Sequence, residues 1–147
     1  DRPVVVLIGD GGFLMTGTEL ATAIRHKARF VAMVSNNGSY GTIRLHQEKQ
    51  YPGRVSATEL VNPDFAALAR SFGATGLTLA KSADSAKVVA EALAAKGPAV
   101  IDVRSSLEHI SAFTTLSRES AAWLSRCHWR PDEKLSNTVT PAVLVPV

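Results

Sequence analysis

Cysteine, long apolar runs and clustered positive charge are all scarce in this 147-residue sequence. Cys127 is the only cysteine, which excludes an intramolecular disulfide. No apolar run approaches the roughly 18 residues expected of a membrane-spanning helix, and the 16 Lys and Arg residues are scattered rather than gathered into one stretch. With a formal net charge of only +3, the chain gives little support to nucleic-acid binding. We therefore expect a cytoplasmic protein that binds neither a membrane nor a nucleic acid.

The composition that is present is that of an ordinary folded domain. Hydrophobic residues make up 46% of the sequence and charged residues 20%, which argues against a disordered or collagen-like chain. A chain of this length is about the usual size of one domain with one core. The sequence begins with Asp1 rather than Met, and its first apolar run follows almost at once. We expect the domain to be incomplete at its N-terminus, without a visible targeting signal.

Short apolar runs alternate with helical patterns along the first two thirds of the chain. Residues 4–8 are all apolar, which is typical of a strand buried on both faces of a parallel sheet, and a glycine turn follows. A helix is predicted over residues 18–27, with Thr16 or Thr18 as its N-cap. The remaining predicted strands are residues 30–35, 75–79 and 99–103.

Three further helices are predicted. The first covers residues 43–50, and the second begins with Asn62 as N-cap and Pro63 at the first helical position. The core residues predicted for this second helix are Phe65, Leu68 and Phe72. The third helix covers residues 82–96, with Gly97 at the C′ position. Its predicted apolar stripe consists of Ala86, Val89, Ala90 and Leu93.

The alternation of strands and helices predicts an α/β fold: a parallel sheet of about four or more strands, with helices on both faces. The pattern fails after about residue 117. Residues 118–147 contain both tryptophans and the only cysteine but no sustained period. We interpret them as an irregular C-terminal tail of unknown role, outside a domain that covers residues 1–117.

Polar, glycine-rich turns follow two of the predicted strands. Asp10 lies within residues 9–12, which read Gly-Asp-Gly-Gly, and residues 36–41 read Asn-Asn-Gly-Ser-Tyr-Gly. Ligands of open α/β sheets bind beyond the carboxyl ends of the strands, so both turns are expected to share one site. Carboxylate, amide and carbonyl oxygens are hard ligands that suit Mg²⁺ or Ca²⁺. Helices beginning near Thr16 and after Tyr40 would direct N–H groups toward an anion. The pattern predicts a metal-bridged diphosphate site.

These motifs resemble those of a known family. The sequence GDG, followed by NN at a spacing in the middle twenties, is the signature of the pyrophosphate-binding domain of thiamine-diphosphate enzymes of the acetolactate synthase and 2-oxoacid decarboxylase group. Here Gly11 and Asn36 are separated by 24 residues. The agreement continues through NPDFAALARSFGATG and ends near residue 117.

The resemblance implies roles for individual residues. Asp10, the Asn37 side chain and the backbone carbonyl of Ser39 would coordinate Mg²⁺. The residues that would contact the cofactor, chiefly its diphosphate, are Gly11, Gly12, Asn37, Ser39, Tyr40 and Gly41. No catalytic residue is assigned in this chain, because family members carry the activating glutamate in a pyrimidine-binding domain, and that domain is absent here.

The resemblance also implies an activity. Family members act on 2-oxo acids by decarboxylation, with or without carboligation, and hold thiamine diphosphate between domains of different subunits. We therefore expect a small 2-oxo acid substrate, a pyrimidine-binding domain of the same or another subunit as partner, and a homo-oligomer. Some relatives also bind FAD in a middle domain, which this sequence does not support.

Several residues have simpler interpretations. Asn36 could merely stabilise a left-handed turn, and Glu19 is more typical of a residue that compensates a helix dipole than of a catalytic acid. His46 follows the site closely, but a histidine on an exposed helix face is the commoner case. Cys127 has no signature of a nucleophile around it.

Two alternative functions remain open from the sequence. The first is a catalytically incomplete binding fragment that needs a partner domain. The second is another nucleotide-binding α/β domain of dehydrogenase type, although residues 9–12 do not match G-x-G-x-x-G and no acidic residue follows at the expected strand end.

Overall fold

The computed structural model describes residues 2–110 and 115–117, and its centre is a parallel sheet of four strands. The strands are β1 (Val5–Gly9), β2 (Val31–Asn36), β3 (Thr75–Leu79) and β4 (Ala99–Arg104). Their order in the sheet is β1-β2-β4-β3, and every neighbouring pair is parallel. The predicted α/β fold with a parallel sheet is confirmed.

Five helices connect the strands. They are α1 (Asp10–Thr16), α2 (Leu20–Arg25), α3 (Gly41–Gln50), α4 (Phe65–Ser71) and α5 (Ser85–Ala94). Short 3₁₀ turns precede two of them, Gly17–Glu19 before α2 and Ser82–Asp84 before α5. Among the residues that the structure describes, no helix is both long and apolar enough to cross a bilayer.

The strand register brings two carboxyl ends to one edge of the sheet. Gly9 at the end of β1 pairs with Ser35, and Asn36 at the end of β2 pairs with Arg104. The turns that follow β1 and β2 are therefore neighbours, which is the arrangement that open α/β sheets use for ligands.

The core lies on both faces of the sheet. On one face, Phe13 of α1 and Phe65 of α4 meet edge to face, with ring centroids 5.4 Å apart, and the predicted core residues Leu68 and Phe72 pack around them. On the other face, α5 packs against β3 and β4.

The apolar run of β1 predicted a strand that is buried on both faces, and this prediction is wrong. Val5 and Val6 are exposed, and the side chain of Leu7 is 78% exposed. The reason is that β1 is an edge strand, since among the described residues only β2 pairs with it. In addition, α5 covers β3 and β4, at the opposite end of the strand order, and does not extend over β1.

The structure contains one helix that the sequence pattern did not predict: α1 lies before α2, and α2 corresponds to the helix predicted over residues 18–27. Gly9 is extended, and α1 starts at Asp10, so residues 10–12 form a helical turn rather than a glycine loop. Neither Thr16 nor Thr18 acts as a side-chain cap for α2, which follows the 3₁₀ turn with Glu19 as its N-cap. The burial of Phe13 outweighs the low helix propensity of the two glycines at the start of α1.

The ends and faces of two other helices also differ from the prediction. Asp64, not Asn62, caps α4, because its Oδ1 accepts a hydrogen bond of 2.8 Å from the N–H of Ala67. The residues that α5 packs against the sheet are Val88, Val89 and Ala92, so Val89 of the predicted stripe is confirmed, whereas Ala86, Ala90 and Leu93 are exposed. Gly97 is not a left-handed C′ residue, since α5 ends in an extended Ala95. Residues 118–147, with the predicted domain boundary after residue 117, lie outside the described residues.

Candidate functional site

Asp10 is the centre of the candidate site. It occupies the first turn of α1 and is only 2% exposed. Its Oδ1 accepts a hydrogen bond of 2.9 Å from the N–H of Gly11. Its Oδ2 accepts from the backbone N–H groups of Asn37 at 3.1 Å and Gly38 at 2.7 Å, and from the Asn62 amide at 2.7 Å. The carboxylate thus ties the end of β1 directly to the turn after β2.

The turn after β2 is held in place by its own side chains. Gly38 adopts φ 72°, a left-handed conformation that glycine accepts without steric cost. Asn37 Oδ1 accepts from the N–H of Ser39 at 3.0 Å. The hydroxyl of buried Ser39 donates to the carbonyl of Thr58 at 2.7 Å, and the N–H of Tyr40 donates to the same carbonyl at 2.9 Å. The predicted ligand residues of this turn therefore have fixed positions.

Two glycines of the site make room for neighbouring side chains. A Cβ on Gly11 would lie 2.5 Å from ring carbons of Tyr40, so the tyrosine ring covers this glycine. A Cβ on Gly41 would lie 3.0 Å from the Asn37 amide nitrogen. Because Gly41 is also the first residue of α3, the N-terminus of that helix lies beside Asn37.

The oxygen atoms predicted to bind a metal are compatible with Mg²⁺. From the residues that the structure describes, Asp10 Oδ1, Asn37 Oδ1 and the Ser39 carbonyl each accept one hydrogen bond, the last from the N–H of Gly41 at 2.8 Å. An oxygen of this kind has two lone pairs, so each retains one for a cation. One carboxylate with two neutral oxygens is a hard donor set that leaves positions for phosphate oxygens and water. Within the described part of the chain, no group of three or more His, Cys, Asp or Glu side chains offers another metal site.

Asn62 belongs to the site, although the sequence interpretation assigned it to a helix cap. Its side-chain nitrogen donates to Asp10 Oδ2 and, at 2.9 Å, to Asn36 Oδ1. The Asn36 amide in turn donates to buried Asp102 Oδ1 at 2.9 Å. Asn36 is thus the buried last residue of β2 and not a left-handed turn residue, which corrects the simpler interpretation. The only sequence signal at Asn62 was an amide before proline, which equally indicates a cap.

The other residues considered from the sequence lie outside this hydrogen-bonded group. Glu19 is exposed and accepts from the Thr22 hydroxyl at 3.0 Å, a contact within its own helical segment. His46 lies on the exposed side of α3. Cys127 lies outside the described residues. None of these contacts supports a proton-transfer role.

The segment after β4 passes the same edge of the sheet. The N–H of Ser105 donates to the carbonyl of Asn36 at 3.1 Å, and Ile110 lies close to the position of a Cβ on Gly41. Further along, the hydroxyl and the backbone N–H of Ser117 donate to Glu108, and these hydrogen bonds lower the pKa of the Glu108 carboxyl.

Comparison with known proteins identifies the domain. A family model described as "Thiamine pyrophosphate enzyme, C-terminal TPP binding domain" matches residues 1–103. The chain belongs to this thiamine pyrophosphate enzyme family. The family predicted from the sequence motifs is confirmed. Thiamine pyrophosphate is another name for the thiamine diphosphate mentioned above.

Individual proteins that are similar to this thiamine pyrophosphate enzyme domain support the same family assignment. Acetolactate synthase of Bacillus subtilis is 43% identical over 100 residues, which are 68% of this chain and 17% of the relative. Benzoylformate decarboxylase of Polynucleobacter necessarius has a TM-score of 0.67 and 30% identity over 73% of this chain, and 4-hydroxybenzoylformate decarboxylase of Rhodococcus jostii has a TM-score of 0.67 and 34% identity over 72%. The chain spans about one fifth or less of each relative's length.

Proposed function

We propose that this domain binds thiamine diphosphate through Mg²⁺, with Asp10 as the principal metal ligand. The observation that supports this most directly is the buried Asp10 carboxylate, which lies at the carboxyl ends of two parallel strands and retains a free lone pair on Oδ1. A buried carboxylate without a cation is costly, so a divalent ion there would offset its charge.

The other residues of the site have complementary roles in this proposal. Asn37 Oδ1 and the Ser39 carbonyl complete the protein's share of the metal ligands. Gly11, Gly12, Tyr40 and Gly41 adjoin the diphosphate, and the N-terminal N–H groups of α3 face its negative charge. When bound, the cofactor supplies a thiazolium ring that acts as ylid and electron sink. The residues of this chain bind and orient that cofactor.

We propose that the longer enzyme to which this domain corresponds acts on 2-oxo acids, by decarboxylation with or without carboligation. The names of an acetolactate synthase and of two decarboxylases among the relatives support this substrate class. The proposal includes a pyrimidine-binding domain that carries the activating glutamate, a homo-oligomer and a cytoplasmic location. The division into a domain of residues 1–117 and a tail of residues 118–147 stays a prediction.

We further propose that the chain by itself only binds the cofactor. The site as proposed holds a metal and a diphosphate, and we assign no proton-transfer role to any of its residues. This fits a binding fragment that needs a partner domain for turnover. FAD has no proposed place among the described residues.

Calorimetric titration with thiamine diphosphate and Mg²⁺ tests the metal site. We expect Asp10→Ala to weaken binding by more than about tenfold, because even residues that only support a metal ligand contribute about that much. Asp84→Ala is the matched control, since Asp84 is an exposed aspartate whose side chain makes no capping bond to α5. If Asp10→Ala bound as well as the unchanged chain, the proposed function would be wrong.

A further inference from the structure

The side-chain amide of Asn62 connects Asp10 with the hydrogen-bonded pair Asn36 and Asp102, at the carboxyl ends of the strands. Its nitrogen lies 2.7 Å from Asp10 Oδ2 and 2.9 Å from Asn36 Oδ1. Both acceptors are distant in sequence, 52 and 26 residues away. One side chain from the loop before α4 therefore bridges the ends of β1 and β2.

Two carboxylates, those of Asp10 and Asp102, determine which atoms of the Asn62 and Asn36 amides donate and which accept. Asp10 only accepts hydrogen bonds when ionised, so Asn62 must present its NH₂ group to it. Asp102 Oδ1 accepts from the NH₂ group of Asn36, which leaves the Asn36 oxygen to accept from Asn62. Asp102 Oδ2 lies 3.0 Å from Arg104 Nη2, so an ion pair terminates the chain of contacts at β4.

Asn62 is held in this arrangement at a cost. Its Oδ1 is buried and has no hydrogen-bond partner within the described part of the chain. A buried polar oxygen without a partner is unfavourable and calls for a specific explanation. Helix capping does not supply one, because Asp64 already caps α4.

We propose that Asn62 is a positioning residue for the metal ligand Asp10, an inference that rests on the proposed function. By donating to Oδ2, together with the N–H groups of Asn37 and Gly38, it fixes the rotation of the carboxylate. Oδ1, which accepts from Gly11 alone among the described residues, would then be available to the cation. Asn62 contacts neither metal nor cofactor in this role; it acts through Asp10.

Binding of Mn²⁺, used as a paramagnetic substitute for Mg²⁺, in the presence of thiamine diphosphate tests the role of Asn62. Electron paramagnetic resonance of the 147-residue chain is expected to show a dissociation constant about tenfold higher in Asn62→Ala, the size usual for groups that orient a metal ligand. Asp64→Ala is the matched control: it removes the α4 cap two residues away and lowers thermal stability, but it leaves Mn²⁺ affinity unchanged. Asn62→Ser, which retains a single donor, replaces Asn62→Ala if that variant does not fold.

A second readout needs no metal. The ¹H–¹⁵N resonance of Gly38, whose N–H donates to Asp10 Oδ2, is expected to shift in Asn62→Ala and to stay in place in Asp64→Ala. This shift reports that Asn62 acts on Asp10 Oδ2, and the Mn²⁺ affinity reports whether the metal site depends on that contact. If Asn62→Ala lost no more Mn²⁺ affinity than Asp64→Ala, the positioning role would be overturned.

Asp10→Ala, measured in parallel, separates the two levels of inference. If Asp10→Ala loses Mn²⁺ binding while Asn62→Ala binds as the unchanged chain does, the proposed function stands and the role of Asn62 is refuted. If Asp10→Ala and the unchanged chain give the same result, the proposed function fails, and the role of Asn62 fails with it.

Discussion

At the scale of single residues, Glu108 shows how a charge organises the segment after β4. The hydroxyl of Ser117 and then its backbone N–H donate to Glu108 Oε1, at 2.6 Å and 3.1 Å, and lower the pKa of the carboxyl. Since the folded-state pKa is lowered, the stabilisation from this contact is present above the ordinary pKa of glutamate. It is lost as the pH falls through the lowered folded value.

An NMR titration checks this pH dependence. We expect the Ser117 amide resonance to change at a pH below the ordinary pKa of glutamate, and Ser117→Ala to raise the pKa of Glu108 toward that value. Ser106→Ala is the control, because Ser106 accepts from the Glu108 backbone N–H and does not touch the carboxylate. An identical titration midpoint in Ser117→Ala and the unchanged chain would show that the hydroxyl hydrogen bond does not determine the pKa of Glu108.

Single residues also show why the sequence did not predict that Asn62 belongs to the site. Asn followed by Pro before a helical pattern predicts an N-cap, and the true cap, Asp64, lies only two residues further on. The partner of Asn62 is 52 residues away, and no local pattern carries information about such a contact. By contrast, Asp10 and Asn37 were found because a known motif already encodes their long-range relationship.

At the scale of secondary structure, the approach of α4 to β3 depends on one glycine. A Cβ on Gly76 would lie 2.0 Å from the carbonyl oxygen of Ala66 in α4, which is backbone and cannot rotate away. We expect Gly76→Ala to push α4 off the sheet and to lower the free energy of unfolding by about 1–3 kcal/mol, the usual cost of overpacking. Urea denaturation measures this change.

Gly97→Ala is the control for Gly76→Ala. A Cβ there would meet nothing within 4 Å, and the residue does not have a positive φ. We expect its free energy of unfolding to stay within about 0.5 kcal/mol of the unchanged chain, as for surface substitutions in general. Equal losses in the two variants would contradict the role of close packing at Gly76.

Strands were predictable at this scale and helix starts were not. The four predicted strands match the observed ones to within one residue at each end, because apolar runs bounded by turns are a local property. Helix α1 was missed because glycines at 11 and 12 favour a turn locally, whereas the packing of Phe13 on Phe65 decides in favour of a helix. Likewise, the buried stripe of α5 depends on how the helix lies against β3 and β4.

At the scale of the whole molecule, the free edge of the sheet at β1 is the feature most prone to association between chains. In the described residues, one side of β1 has no strand partner, and Leu7 within this strand is 78% exposed. Unpaired, apolar edge strands promote association between chains. We therefore expect the chain to self-associate, and we expect Leu7→Lys to shift the equilibrium toward monomer in sedimentation-velocity experiments.

Val61→Lys is the control for the edge-strand prediction. Val61 is fully exposed at 100% but lies in the loop before α4 and not on the sheet edge. The Val61→Lys substitution adds the same charge as Leu7→Lys and removes an apolar side chain that is also largely exposed. We therefore expect it to leave the association unchanged. Equal dissociation in both variants would assign the effect to net charge.

The carboxylate of Asp10 joins parts of the chain that are far apart in sequence. Its Oδ2 holds Asn37 and Asn62, which are 27 and 52 residues away, so α1 and the loops containing these two residues meet at one atom. Local unfolding of any one of them releases the same atom, which couples their openings into one cooperative event. A ligand that binds only the closed arrangement raises the free energy of all these openings together. Cofactor occupancy would thus slow hydrogen exchange even at an amide such as Leu60, which donates to the Gly38 carbonyl.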